Sequence, residues 1–100
     1  MEGRARISPD VLASYAADAA AAVAGVRGLS QSQLPGRKGV RVNADDERVA
    51  VELHLAVDWG VSVPAVGREV QARVLEYLAR MVDVQPSAVD IVVDEIVAPR

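Results

Sequence analysis

Cysteine and phenylalanine are absent from this 100-residue chain, histidine and tryptophan occur once each, and tyrosine twice. Without cysteine, disulfides, thiolate metal sites and cysteine nucleophiles are excluded. One histidine, His54, rules out a multi-histidine zinc site. Positive charge is also scarce: the formal net charge is −3, which argues against a nucleic-acid partner, whose phosphates reward a basic face. No apolar run approaches the ~20 residues of a membrane-spanning helix. The nearest, residues 19–26, is short, alanine-rich and interrupted by Gly25. Residues 1–7 lack the apolar centre of a signal peptide. These absences lead us to expect a soluble, cytoplasmic protein.

What is present is valine and alanine. Hydrophobic residues make up 51% of the chain and charged ones 25%, an ordinary balance for one globular domain with one core. The small side chains imply thin core layers and closely approaching helices and sheet. Residues 1–6 read as a disordered polar arm, 7–97 as a single α+β domain and 98–100 as a tail.

Ser8-Pro9-Asp10 carries the signals of a helix start: a capping hydroxyl, a proline at the first helical position, and a carboxylate at the positive end of the dipole. Leu12, Ala16, Ala19 and Val23 then recur at helical spacing with Tyr15 beside them, and Gly25 or Gly28 supplies a left-handed stop. Residues 29–39, with two serines, a proline and two glycines, read as a loop. A first strand begins at Val40, residues 45–48 turn, and a second strand runs from Val49 to Val57. Pairing Ala44 with Val49 sets Val42 opposite Val51, Arg41 opposite Glu52 and Val40 opposite Leu53. The odd residues of the second strand are all apolar, whereas Glu52, His54 and Asp58 share the other face, so one face is buried.

A second helix is predicted from Ser62 or Val63 to Val82, with Val66, Val70, Val74, Tyr77, Leu78 and Met81 inward. Glu69–Arg73 and Glu76–Arg80 are spaced as i,i+4 ion pairs on its outer side. A third strand, residues 87–97, alternates Val89, Ile91 and Val93 against Asp90, Val92 and Asp94. The fold class is therefore α+β: two layers in αββαβ order, with a three-stranded mixed sheet carrying both helices on one face. The third strand's neighbour, the first or the second strand, stays open.

The passage Leu55-Ala56-Val57-Asp58-Trp59-Gly60-Val61-Ser62-Val63-Pro64-Ala65-Val66, continued by Arg68-Glu69-Val70-Gln71, resembles the bacterial alkaline shock protein family, also called the envelope stress response family. Two flanking pieces agree. They are Ile7-Ser8-Pro9-Asp10-Val11-Leu12 with Val23-Ala24-Gly25-Val26, and Val89-Asp90-Ile91-Val92-Val93-Asp94-Glu95-Ile96-Val97. The match spans residues 7–97. It implies a non-enzymatic bacterial protein of the cytoplasm, often peripheral to the membrane and tied to envelope or alkaline stress. Such a protein works through protein contacts, and the resemblance brings no catalytic residue, cofactor or metal.

Four features remain. His54 beside Glu52, with Asp58 further along, could suggest proton transfer or a metal, but side chains on one strand fan apart and no second histidine completes a set. Gly36-Arg37-Lys38-Gly39 matches the GxxG loop with which KH domains clamp nucleic acid, and with Arg41 it defines an alternative, KH-like nucleic-acid-binding reading. That use needs helices on both sides of the loop. Trp59 is expected to plug one end of the core; its alternative role is an exposed partner anchor. The acidic groups at 45–47 and at Asp90, Asp94 and Glu95 lack the spacing of a calcium loop.

The sequence thus favours a non-catalytic protein-interaction module. Its contact surface is expected on the outer sheet face at Ala50, Glu52, His54, Ala56 and Val92, or on an open sheet edge. The expected partners are further copies of the chain, a membrane-anchored protein, or both, without direct insertion into lipid.

Overall fold

The computed structural model describes residues 7–30, 39–45 and 48–99. The N-terminal arm, Arg37 and Lys38 of the basic loop, Asp46 and Glu47 of the acidic turn, and Arg100 of the tail lie outside these residues.

Helix α1 (Pro9–Ala21) starts where its capping signals place it: the Ser8 hydroxyl accepts from the Val11 amide at 3.2 Å. It buries Leu12, Ala13, Ala16, Ala19 and Ala20. Strand β1 (Val26–Leu29) follows, then β2 (Val40–Ala44), β3 (Val49–Asp58), helix α2 (Val63–Val82) and β4 (Ala88–Val97). β2 and β3 pair antiparallel in the expected register, Ala44 with Val49 through Val40 with Leu53. β4 runs parallel to β3, which settles the question of its neighbour.

β1 corrects the expected strand count, because the sequence of residues 26–29 reads as a helix stop and the start of a loop. Gly25 does take a left-handed φ of +94°, four residues beyond the helix end, and launches the strand. β1 pairs antiparallel with the C-terminal part of β3 (Leu55 to Val57), and β2 with its N-terminal part (Val49 to Leu53). β4 occupies the opposite edge of β3 along its length, so β1 and β2 lie end to end on a single edge. The sheet has four strands, yet it is three strands wide at every level. The two strands meet at His54, whose carbonyl accepts from the Ser30 amide (2.8 Å) and whose amide donates to the Gly39 carbonyl (2.7 Å).

Both helices cover the odd face of β3, α1 over β1 and β2, α2 over β4. Leu53, Leu55, Val51 and Val57 meet Leu12, Val70, Val74 and Leu78 in one core. Each such side chain contributes about 1.5–3 kcal/mol by leaving water. The α2 stripe advances in steps of four, through Val66, Val70, Val74 and Leu78 to half-buried Val82. Met81, expected on this stripe, is exposed instead, because Val82 and Val84 fill the last position. The Ser62 hydroxyl caps the start of α2, and Asp83 closes its end in the left-handed region at φ 55°.

Candidate functional site

The face of β3 away from the helices carries the polar cluster that the sequence places around His54. Alternation turns Ala50, Glu52, His54, Ala56 and Asp58 to this side. β2 adds Arg41 and Asn43, and β4 adds Ala88, Asp90, Val92 and Asp94. The parallel register sets Glu52 beside Asp90 and His54 beside Val92. It then shifts between Leu55–Val93 and Ala56–Glu95, leaving Asp94 as an extra residue in a β-bulge.

Asp94, not Asp58, completes the group around His54. His54 Nε2–H donates to Glu52 Oε2 at 2.7 Å, and Nδ1–H donates to Asp94 Oδ2 at 2.8 Å. Both ring nitrogens facing carboxylates makes imidazolium the fitting form. The Glu52 hydrogen bond first, and the Asp94 one next, hold the His54 pKa above its ordinary 6.5, against a smaller opposing effect of desolvation. The His54 bond, then that from Ser30, holds Asp94 below the usual carboxylate range. Ser30, 2% exposed, donates its Oγ–H to the same Asp94 oxygen at 2.9 Å. The cluster therefore ties together the end of β1, the middle of β3 and the bulge of β4. Asp58 is engaged elsewhere, accepting from Arg27 Nε at 2.8 Å.

These contacts bind the cluster to itself. A serine–histidine pair needs an imidazole nitrogen free to take the hydroxyl proton, but Ser30 points to a carboxylate and both nitrogens of His54 are occupied. Among the described residues, no three histidine or acidic side chains are grouped to hold a metal ion. The described elements flanking the basic loop are strands, with Ser30 directly after β1 and Gly39 directly before β2, where the KH-like use calls for helices.

The outer-face residues differ in accessibility. Val92 is 38% exposed, Ala50, Glu52 and His54 are half-buried, and Ala56, set between Gly28 of β1 and Glu95 of β4, is only 7% exposed. Trp59 does not plug the core; it is 67% exposed. That end is filled by smaller groups: a methyl at Gly25 would stand 3.1 Å from Val66 and 3.3 Å from Val61, which leaves no space for an indole. Trp59 instead lines an open groove with Ile96, itself 54% exposed, and with Asp58, Gly60, Val61 and Val63.

Asp94 and Ser30 escape the sequence reading for different reasons. Alternation places Asp94 on the correct face, but its distance from His54 depends on which strand neighbours β3. Ser30 falls in a stretch whose glycines and serines read as a loop.

Comparison with known proteins follows the same lines. A model of the alkaline shock protein 23 family, described by a cell envelope-related function, matches residues 1–98. The uncharacterized protein YqhY of Bacillus subtilis (strain 168) is 27% identical over 99 residues, covering 89% of this chain and 73% of YqhY. Among solved structures, the manganese form of a MamM C-terminal domain variant superposes with a TM-score of 0.64 at 19% identity, covering 86% of this chain and 96% of that one. A doubly substituted MamM C-terminal domain gives 0.65 at 18% identity, covering 86% and 81%. These structures share the fold.

Proposed function

Because the chain belongs to the alkaline shock protein 23 family, whose function is cell envelope-related, we propose that it is a non-catalytic protein-interaction module. It acts by self-association or by holding a membrane-anchored partner, and its working surface is the sheet face opposite the helices. One observation carries this reading. Among the described residues both helices pack on the opposite face, and Val92 stands 38% exposed on this one, while the polar cluster around His54 is closed by internal hydrogen bonds. A surface of that kind offers contact rather than chemistry.

No helix among the described residues is long and apolar enough to cross a membrane. In this proposal, attachment to the envelope passes through a partner, with the module itself on the cytoplasmic side.

The test is light scattering over a range of concentrations, with capture from cell extract in which membranes are retained, on the natural chain and on Val92→Glu. The expected result is concentration-dependent assembly or a captured membrane protein, either one lost on Val92→Glu. A strict monomer that captures nothing would sink the proposal.

A further inference from the structure

We infer that the outer sheet face docks a second copy of this chain, face to face, about a two-fold axis parallel to β3. The inference rests on the interaction-module reading above and adds the occupant and its orientation.

The register carries the argument. Arg41, Glu52 and Asp90 form one row across β2, β3 and β4. The rows on either side are Asn43, Ala50 and Ala88, and His54 with Val92. Further along lie Gly28, Ala56 and Glu95, then Asp58 beside Val97 with Arg27 held against its carboxylate. The face is thus polarised across the strands. Its cations, Arg27 and Arg41, lie on the β1/β2 side, and Asp90, Asp94 and Glu95 lie on β4. Among the described residues, Arg41, Asp90 and Glu95 make no ion pair within the chain.

A two-fold axis along β3 exchanges the two sides of a facing copy. Arg41 of one copy then stands over Asp90 of the other, because both lie in the row of Glu52 and flank it on opposite sides. Arg27 lies with the Asp58–Val97 row, one row from Glu95, and its charge is already met by Asp58, so the Arg41–Asp90 contact carries the selection. An axis across the strands would set arginine over arginine and carboxylate over carboxylate, so charge selects the first arrangement. The column on the axis is Ala50, Glu52, His54 and Ala56. Its one carboxylate is already bound to the imidazole at 2.7 Å, so the facing columns present no bare like charges. Gly28, Ala50, Ala56 and Ala88 keep the face low enough for the ~10 Å spacing of packed sheets. Val92 lies one row from the Arg41–Asp90 contact and supplies exposed apolar area near the centre.

The test is sedimentation velocity on the full chain, Arg41→Asp, Asp90→Arg and their equimolar mixture, with thermal melting to confirm that both exposed-site variants fold. The natural chain should dimerise, and each variant alone should dimerise roughly tenfold more weakly, since each sets like charges together at two symmetry-related contacts. The mixture should recover a heterodimer, because both contacts again join opposite charges. Variants that dimerise like the natural chain, or a mixture no tighter than its components, would overturn the inference. A monomeric natural chain that still captures a membrane protein overturns the second-copy occupant and leaves the module reading standing. A monomer that captures nothing removes both.

Discussion

Gly39→Ala tests the junction on which the candidate site is built. Gly39 enters β2 with φ +75°, in the left-handed region, and it closes the gap between β1 and β2. A methyl at this position would lie 2.8 Å from Leu29 Cβ and 3.1 Å from the carbonyl oxygens of both Ser30 and His54. None of these atoms is the end of a flexible side chain. The His54 carbonyl is held by the Ser30 amide at 2.8 Å, and the Gly39 carbonyl by the His54 amide at 2.7 Å. The left-handed conformation costs a residue with Cβ about 1–2 kcal/mol. Forcing a methyl into a filled site adds about 1–3 kcal/mol. The sum, about 2–5 kcal/mol, is a large part of the 5–15 kcal/mol that stabilises a typical domain. At about 4–8 °C per kcal/mol for a domain of this size, Tm should fall by at least about 8 °C. Gly28→Ala is the internal control. It sits in β1 with no atom within 4 Å of the added methyl and no positive φ, so its Tm should hold or rise slightly. Calorimetry with urea unfolding measures both. A Gly39→Ala protein melting within about 3 °C of the natural one would refute the close approach of β1, β2 and His54, since a 1 kcal/mol loss alone would exceed that shift.

Protonated His54 should stabilise the fold. Its folded pKa lies above 6.5, so its contribution is fully present below pH 6.5 and lost as pH rises through the folded value. The stability advantage of the natural chain over His54→Gln should therefore shrink on the alkaline side, and an NMR titration midpoint at or below 6.5 would contradict the Glu52–His54–Asp94 clamp. Asp94 shifts the opposite way, so its contribution is present above the ordinary carboxylate value of 3.8 and fades as pH falls through the lower folded value. Trp59→Ala should change stability by only about 0.5 kcal/mol, as surface substitutions do, and the natural chain's fluorescence should be that of a water-exposed indole. A loss nearer the ~3–5 kcal/mol of a buried aromatic would restore Trp59 to the core.

The legible elements were those in which one physical signal dominates. The odd-residue stripe of β3 permits one register, because a shift by one residue would bury Glu52 and His54. The observed pairing of β2 with β3 follows that constraint residue for residue. Ser8 and Ser62 cap their helices because each hydroxyl stands where the next turn leaves amides without partners. β1 was illegible because only four residues form it, and Gly28 within it and Gly25 just before it carry the same signal as a turn. Its strand character comes from the part of the β3 edge that β2 leaves unpaired. Trp59 misleads for a related reason. Large aromatics usually fill cores, but here the valines around Gly25 have already closed that end.

The site shows a deeper limit. Composition excluded thiol chemistry and multi-histidine metal chemistry, and alternation put Glu52, His54, Asp94 and Val92 on one face. Whether His54 was a free base or a bound cation depended on contacts between strands 40 residues apart in sequence. Once β4 lies beside β3 and its bulge presents Asp94, both imidazole nitrogens are taken. The Ser30 hydroxyl becomes a buried donor to the same carboxylate. The same arrangement also shapes the surface. It pairs the imidazolium with the two carboxylates at the centre of the face and joins β1, β3 and β4, leaving Arg41 on one side and Asp90 and Glu95 on the other. A rigid, polarised sheet face of this kind favours a facing copy turned about an axis along β3, and the paired charge reversals at Arg41 and Asp90 interrogate that consequence directly.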